Sequence, residues 1–161
     1  MKILCLLTNT WHTDPDSLHK LLVTQPDRRH HVIARHLFCT TNLTGSRLLT
    51  VFGELLKAHS WTFEHAATTL HTTTTSSSRS NYNTGHIRRL IGQHRPDVII
   101  AIGASPQKAM KDMALAVRDT SPLPPVVECL APATNRPGWL KKMTVAREQI
   151  EAAIAGLGVA A

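Results

Sequence analysis

Four short apolar runs occur along the chain, and their lengths are those of buried β-strands. They lie at 2–8, 62–70, 97–103 and 125–130. The third, DVIIAIG, is the clearest, because it is unbroken, rich in β-branched residues and closed by Gly103. Apolar runs without polar alternation are typical of parallel strands that are covered on both faces.

Apolar residues in the other segments recur at the i, i+3 and i+4 spacing of amphipathic helices. The four clearest stripes comprise Leu48, Leu49, Phe52, Leu55 and Leu56; Ile87, Leu90, Ile91 and His94; Ala109, Met110, Met113, Ala114 and Val117; and Met143, Ala146, Ile150, Ala153 and Ile154. Strands that alternate with helices favour a three-layer α/β/α fold around a central, parallel, four-stranded sheet. We therefore predict one domain over 1–161, with the first strand in the middle of the sheet.

Two polar segments interrupt this pattern. Residues 24–42 are basic and irregular, and they predict a long surface loop with at most a short helix. Residues 71–85, HTTTTSSSRSNYNTG, are of low complexity and have almost no apolar side chains to bury. This second segment follows the second strand, at the edge where α/β folds bind their ligands.

Three more loops of unusual composition follow the other strands. They are NTWHTDPD (9–16), ASPQK (104–108) and APATNRPGW (131–139). Because the carboxyl ends of parallel strands meet at one edge of a sheet, all four loops should converge there. This edge, called the carboxyl edge below, is the candidate functional site.

The charge balance narrows the choice of partner. Eighteen Lys and Arg against eleven Asp and Glu give a formal net charge of +7 over 161 residues. A hydrophobic fraction of 42% and a charged fraction of 18% are typical of a soluble globular protein. The basic excess favours an anionic partner, nucleic acid above all, and we expect a cytoplasmic monomer that binds DNA.

The cysteines and histidines point to no cofactor. Cys5, Cys39 and Cys129 are far apart without a CxxC pair, and the apolar runs around Cys5 and Cys129 predict buried free thiols. The ten His form neither an HExxH motif nor a tight cluster with Cys, so we expect no metal site. The first apolar run fits a strand better than a signal peptide, and no run reaches the length of a membrane span.

Four motifs follow one another in a recognisable order. LLTNTWH carries Asn9 after the first strand, TGSRLLTVFGELL carries Gly45 and Arg47, and PDVIIAIGASPQKAM precedes APATNRPGW. In this order the chain resembles the uracil-DNA glycosylase superfamily, particularly its mismatch-specific and single-strand-selective branches. The resemblance covers nearly the whole chain. It implies a uracil-DNA glycosylase-like fold and a monofunctional hydrolase that removes a base from DNA.

The resemblance implies that Asn9 holds the attacking water once the target nucleotide has flipped out of the helix. The transition state is oxocarbenium-like, so positioning and electrostatics matter more than a strong base. His12 and Asp14 are candidates to assist the water, polarise the base or stabilise charge on the sugar. Structural interpretations stay open, since Asn9 can cap a turn after the strand and Asp14 can begin a turn.

The last motif departs from the family pattern at Ala131, where relatives place His or Asn. Ala donates no hydrogen bond to a departing base, but it leaves room in the pocket. We therefore expect a bulky modified base, a cytosine derivative of the bacteriophage type first, rather than plain uracil. Pro132 and Pro137 would stiffen the loop that carries Asn135 and Arg136 toward the minor groove. The alternative is an ordinary connection with Arg136 in solvent.

Further candidate contacts complete the predicted site. The substrate-binding candidates are Trp11, Phe38, Thr68 and Ala131. The DNA-binding candidates are Arg47, Ser105, Lys108, Pro132, Asn135, Arg136 and Lys141. Ser105 can equally cap a helix, and the lysines can be solvated charges without a ligand.

Three classes of function remain open on the sequence. The first is a DNA glycosylase for a modified base, or in its plainer form a uracil repair enzyme. The second is an inactive glycosylase-like protein that binds DNA or a nucleotide, which the missing Gly and Pro beside Asn9 favour. The third is an unrelated nucleotide-processing α/β enzyme, against which the lack of a Gly-rich phosphate loop counts.

Overall fold

A computed structural model describes six stretches of the chain, namely 1–8, 15–38, 43–68, 82–116, 122–130 and 137–159. Their strands are β1 (Lys2–Leu7), β2 (Ser60–His65), β3 (Val98–Ile102) and β4 (Val126–Cys129). Their helices are α1 (Pro15–Thr24), α2 (Arg29–Leu37), α3 (Leu43–Ala58), α4 (Thr84–His94), α5 (Ala104–Ala116) and α6 (Trp139–Val159), with a 3₁₀ turn at Pro26–Arg28 before α2.

The four strands form one parallel sheet in the order β2-β1-β3-β4. β1 lies in the middle, and its Cys5 pairs in register with Phe63 of β2 and Ile100 of β3. The predicted four-stranded parallel sheet with an internal first strand is confirmed. All three neighbour relations need crossover connections, and the helices supply them.

Helices cover both faces of the sheet, as expected for strands without polar alternation. Ile3, Cys5 and Leu7 of β1 point into a core shared with α2, α3 and α6, whereas Leu4 and Leu6 point into a core shared with α4 and α5. All five side chains are buried. The two cores give the three-layer α/β/α architecture that the sequence predicted.

Two predictions about individual segments were wrong. Residues 24–42 are not mainly loop, because α2 fills 29–37 and buries Ile33 and Leu37 against β2 and α3. Its apolar stripe is too short to stand out among basic residues. The helix forms because it packs against β2, the strand at the edge of the sheet, and covers that strand. β2 itself ends at His65 rather than at 70, although the Ala66 N–H still donates to the Leu7 carbonyl at 2.9 Å.

The helical stripes were correct at their centres and wrong at their margins. Leu48, Phe52 and Leu55 are buried on α3, but Leu49 is 49% exposed. Ala114 of α5 is exposed as well. Since 3.6 residues make one turn, residues at the two margins of a broad apolar stripe point away from the sheet and into solvent.

The helix starts lie at the carboxyl edge. α3 ends two residues before β2 begins, so α3 runs opposite to the strands and its first turn lies at that edge. α4 starts there too, because the Asn83 N–H donates to the Ala66 carbonyl just beyond β2 at 2.9 Å. α5 follows β3 directly. Among the described helices, none is both long and apolar enough to cross a membrane.

The crossing of α2 and α3 requires a glycine. An added Cβ on Gly45 would lie 1.7 Å from the carbonyl oxygen of Leu37 and 2.6 Å from its carbonyl carbon. Both are backbone atoms at the end of α2, so no side-chain rotation relieves the overlap. Gly45 therefore determines how closely α2 approaches α3.

Candidate functional site

The two central strands define the site, because the strand order reverses between β1 and β3. The connection after β1 leads to β2 on one side of the sheet, and the connection after β3 leads to β4 on the other side. In open α/β sheets, ligands bind at the carboxyl ends of the strands at such a switch point. The Thr8 hydroxyl donates to the Ile102 carbonyl at 3.2 Å and joins the two strands at this point.

A tight turn carries β3 into α5 at the same point. Gly103 has φ of 90°, and its N–H donates to the Cys129 carbonyl of β4 at 2.9 Å. The Gln107 side chain donates to the same carbonyl at 2.8 Å. The left-handed backbone of Gly103 and the two hydrogen bonds to the Cys129 carbonyl fix the position at which α5 begins. Ser105, in the first turn of α5, is fully buried.

A buried ion pair lies at the end of β2. The Glu64 side chain is only 3% exposed, and its Oε2 lies 2.8 Å from Nε of Arg29 on α2. Burial raises the pKa of Glu64, and the hydrogen bond and charge of Arg29 oppose that rise. The pair therefore connects α2 to the edge strand at the cost of desolvating both ions.

His65 follows Glu64 and is fully buried. Burial lowers the pKa of His65 to about 3, and the nearby charges of Arg29, His36 and His86 act in the same direction. The imidazole is therefore neutral at physiological pH. The pKa of His86 is also lowered by burial and by Arg29 and Arg89, while a hydrogen bond to the His65 backbone opposes this shift.

Arg29, Glu64 and His65 were not among the predicted site residues. The sequence does contain a signal, since a Glu-His pair interrupts an apolar strand, TFEHAA, at its carboxyl end. Buried ionisable side chains are rare unless they are paired. The perturbed pKa values of Glu64 and His65 mark the end of β2 as a functional candidate or as a structural ion pair.

A second cluster at the carboxyl edge lies beside β4. The guanidinium of Arg47, in the first half of α3, lies 4.4 Å from the ring centroid of Trp139 at the start of α6. Lys141 is exposed two residues further along α6. The structure thus brings Arg47 and Lys141, two predicted DNA contacts, to the same side of the sheet.

Lys108 has a different environment from the one expected of a phosphate contact. Its Nζ lies 3.0 Å from Oδ2 of Asp112, which also accepts a hydrogen bond from the Tyr82 hydroxyl. The ammonium also lies 5.7 Å from the centroid of the Tyr82 ring. The charge of Lys108 is therefore largely balanced within the protein.

The other predicted residues divide into two groups. Phe38 packs edge-on against Phe63 with ring centroids 5.2 Å apart, and Thr68 is exposed beyond β2. The remainder lie outside the described residues: Asn9, Trp11, His12, Asp14, Ala131, Pro132, Asn135 and Arg136. In the sequence they lie between β1 and α1 or between β4 and α6.

Both described cysteines, Cys5 and Cys129, are buried free thiols, as predicted. Burial raises the pKa of both, and that of Cys129 to about 12. Cys39 lies outside the described part of the chain. Within that part, no group of three or more His, Cys, Asp or Glu is placed to hold a metal ion.

Comparison with protein-family models, with curated proteins and with solved structures gives no match to this chain. The resemblance to the uracil-DNA glycosylase superfamily therefore depends on the short motifs and their order alone. The structure defines the class as a three-layer α/β/α protein whose strand order reverses between β1 and β3.

Removing one member of the buried ion pair should destabilise the protein. We expect Arg29→Met to lower the free energy of unfolding by about 3 kcal/mol at pH 7, because it leaves Glu64 buried without its counter-ion. The loss should shrink as the pH falls, because burial raises the pKa of Glu64 and a protonated Glu64 no longer needs a counter-ion. Urea unfolding followed by circular dichroism measures both effects.

The double variant Arg29→Met/Glu64→Leu is the matched control. Apolar replacement of both partners removes the desolvation penalty, so most of the lost stability should return. A double variant no more stable than Arg29→Met alone would show that the pair is not the source of the effect.

Proposed function

We propose that this protein is a DNA N-glycosylase that cleaves the glycosidic bond of a flipped-out, modified base at the carboxyl edge. The observation that carries the proposal is the strand order β2-β1-β3-β4, which reverses between β1 and β3. This is where open α/β sheets bind ligands. The start of α5 lies at this point, and Asn9 is two residues beyond the last residue of β1 in the sequence.

Charge supports DNA as the substrate. The net charge is +7, and Arg47 and Lys141 lie near the ends of the strands at the carboxyl edge. Phosphate contacts of this kind position a duplex without reading its sequence. Arg136, in the loop between β4 and α6, is the proposed group that fills the gap left by the flipped base.

The proposed chemistry needs little from the protein beyond positioning. Asn9 would orient the attacking water, and His12 and Asp14 would stabilise the positive sugar or the departing base. Ala131 supplies no hydrogen-bond donor, so its contribution is space. A pocket widened at Ala131 would accept a bulky cytosine derivative better than uracil would fill it. A uracil repair enzyme is the plainer form of the same proposal.

A binding protein without turnover is the second candidate. It is favoured by Ala131 and by the missing Gly and Pro beside Asn9, since each removes an element of the family's motif. Such a protein would use the same crevice and the same basic residues. The two candidates differ only in whether abasic sites form.

The test is a panel of duplexes that contain uracil, mismatched thymine or phage-type modified cytosines, scored for abasic sites. We expect excision of a bulky cytosine derivative, and Asn9→Ala should lower the single-turnover rate by roughly 10²-fold with little change in DNA affinity. Binding to every duplex without an abasic site would favour the second candidate. An unchanged rate in Asn9→Ala would remove Asn9 from the mechanism.

Pocket size is tested by adding bulk at position 131. Ala131→His should suppress excision of the large base more than excision of uracil, because a filled pocket excludes volume by steric overlap. Arg136→Ala is the control, since a phosphate or gap-filling contact should affect all bases alike. Uracil excised as efficiently as every bulky base would contradict the wide pocket.

A further inference from the structure

α2 runs along the outer edge of the sheet, beside β2. Its last residue, Leu37, contacts Gly45 in the first half of α3, which lies toward the carboxyl edge. Its first residue, Arg29, pairs with Glu64 near the end of β2. α2 therefore lies beside β2 and close to the carboxyl edge.

The two sides of α2 have different chemistry. Ile33 and Leu37 face the core, and Arg29 is bound to the buried Glu64. Two residues of α2 and the last residue of the 3₁₀ turn before it are basic or ionisable and exposed, and they are spaced i, i+3 and i+7 in the sequence. They are Arg28, His31 and Arg35, called the α2 stripe below.

No acidic residue balances the α2 stripe. Residues 28–37 contain no Asp or Glu, and neither does neighbouring α4, which adds exposed Arg88 and Arg89. In the described part of the chain, Arg28 and Arg35 make no ion pair, not even with the adjacent Asp27.

Some exposed cations on other helices are paired with an acid. Lys57 of α3, Lys108 of α5 and Arg147 of α6 each pair with an acid three or four residues away on the same helix. Such pairs are the ordinary way to place cations on a helix surface. Arg28 and Arg35 have no ion pair of this kind among the described residues, so their charges repel each other unless an anion approaches.

We propose that the α2 stripe is a second DNA-contact surface that binds the phosphate backbone of duplex DNA beside the carboxyl edge. Arg28, in the 3₁₀ turn, and Arg35, in α2, are seven residues apart, which is about 10 Å at the rise of an α-helix, so each guanidinium can contact a different phosphate. Backbone contacts of this kind give affinity and orientation without base specificity. The inference rests on DNA as the partner proposed above, but not on base excision.

The experiment compares two double variants that both lower the net charge by two. Arg28→Ala/Arg35→Ala removes the guanidinium groups of the α2 stripe, and Lys20→Ala/Lys57→Ala removes two exposed cations from α1 and α3. Binding of a fluorescent 20-bp duplex without modified bases is measured by anisotropy over a range of salt concentrations. Thermal melting confirms that each variant is folded.

The stripe variant should lose two phosphate contacts. The slope of log affinity against log salt should become shallower by about 1.8, and affinity should fall by about 60-fold near 0.1 M salt. The control should show much smaller changes, because distant charges act only through a screened field. Excision at saturating enzyme should be unaffected by the stripe variant, whereas Asn9→Ala should lose excision and keep affinity.

The outcomes separate the two proposals. Wild-type protein that fails to bind the duplex would overturn both. Wild-type protein that binds and excises, with equal losses in the two double variants, would overturn the α2 stripe alone. Binding of the α2 stripe to phosphatidylglycerol vesicles, with duplex affinity unchanged in the stripe variant, would assign the surface to a membrane and also overturn the inference.

Discussion

Acidification from pH 7 to pH 4 is expected to lower the free energy of unfolding by about 3 kcal/mol through His65 alone. The side chain is fully buried, and its pKa falls from 6.5 to about 3 on folding. Between these two values the unfolded chain binds a proton that the folded protein excludes. The stability that His65 contributes is therefore complete above pH 6.5 and is lost as the pH falls toward 3.

Neighbouring groups modify this dependence in known directions. The lowered pKa values of His86, His30 and His94 add to the loss in acid, since burial disfavours their charged forms as well. The raised pKa of Glu64 acts in the opposite sense, because the folded protein then holds its proton more tightly than the unfolded chain. His65 dominates because it is the most deeply buried of these groups.

Urea unfolding at several pH values and constant ionic strength measures the effect. His65→Gln removes the titrating ring, so its curve of stability against pH should be flatter than that of the wild type over pH 4–7. Val51→Ala, which removes buried apolar volume and no titrating group, is the control and should lower the whole curve without changing its shape. Parallel curves for His65→Gln and wild type would show that burial of His65 does not drive the acid sensitivity.

Gly45→Ala should destabilise the protein by about 3 kcal/mol or more, because the new Cβ overlaps backbone of α2 rather than a movable side chain. The overlap with the Leu37 carbonyl oxygen, at 1.7 Å, can be relieved only if α2 moves away from α3. That movement would unpack Leu37 and weaken the contact of α2 with β2. The expected readout is a lower midpoint in urea.

Gly53→Ala is the matched control within the same helix. A Cβ at Gly53 meets no atom within 4 Å, so the substitution only improves helix propensity. We expect it to stabilise the protein by about 0.5–1 kcal/mol. Gly45→Ala that is as stable as Gly53→Ala would contradict the close approach of α2 and α3.

The predictions for His65 and Gly45 both concern the packing of α2, against β2 in the first case and against α3 in the second. Gly45 sets the position of α2, and α2 in turn covers Glu64 and His65 at the end of β2. The α2 stripe then faces outward because Ile33 and Leu37 face inward. A loss of α2 packing should therefore expose the buried ion pair and reorient the proposed DNA-contact surface together.

The fold could be predicted from local sequence because its signals are local. DVIIAIG and KILCLLT have no polar alternation, which only strands covered on both faces tolerate, and helical stripes lie between the strands. α2 escaped prediction because Ile33 and Leu37 make only one turn of apolar spacing within a basic segment. Its helix is stabilised by the edge of β2, which lies more than twenty residues further along the chain.

The sequence predicts a place for the candidate site but not the environment of its residues. Parallel strands bring the connections after β1 and β3 to one edge by topology alone, so the sequence by itself points to the carboxyl edge as the candidate site. The neutral state of His65 depends first on burial and then on the charge of Arg29. Tyr82, from outside α5, adds to the pairing of Lys108 with Asp112. The sequence by itself determined the layers, the sheet and the basic excess. Only the tertiary structure decided which ionisable groups are buried and paired, because burial and charge pairing arise between residues that are distant in the chain.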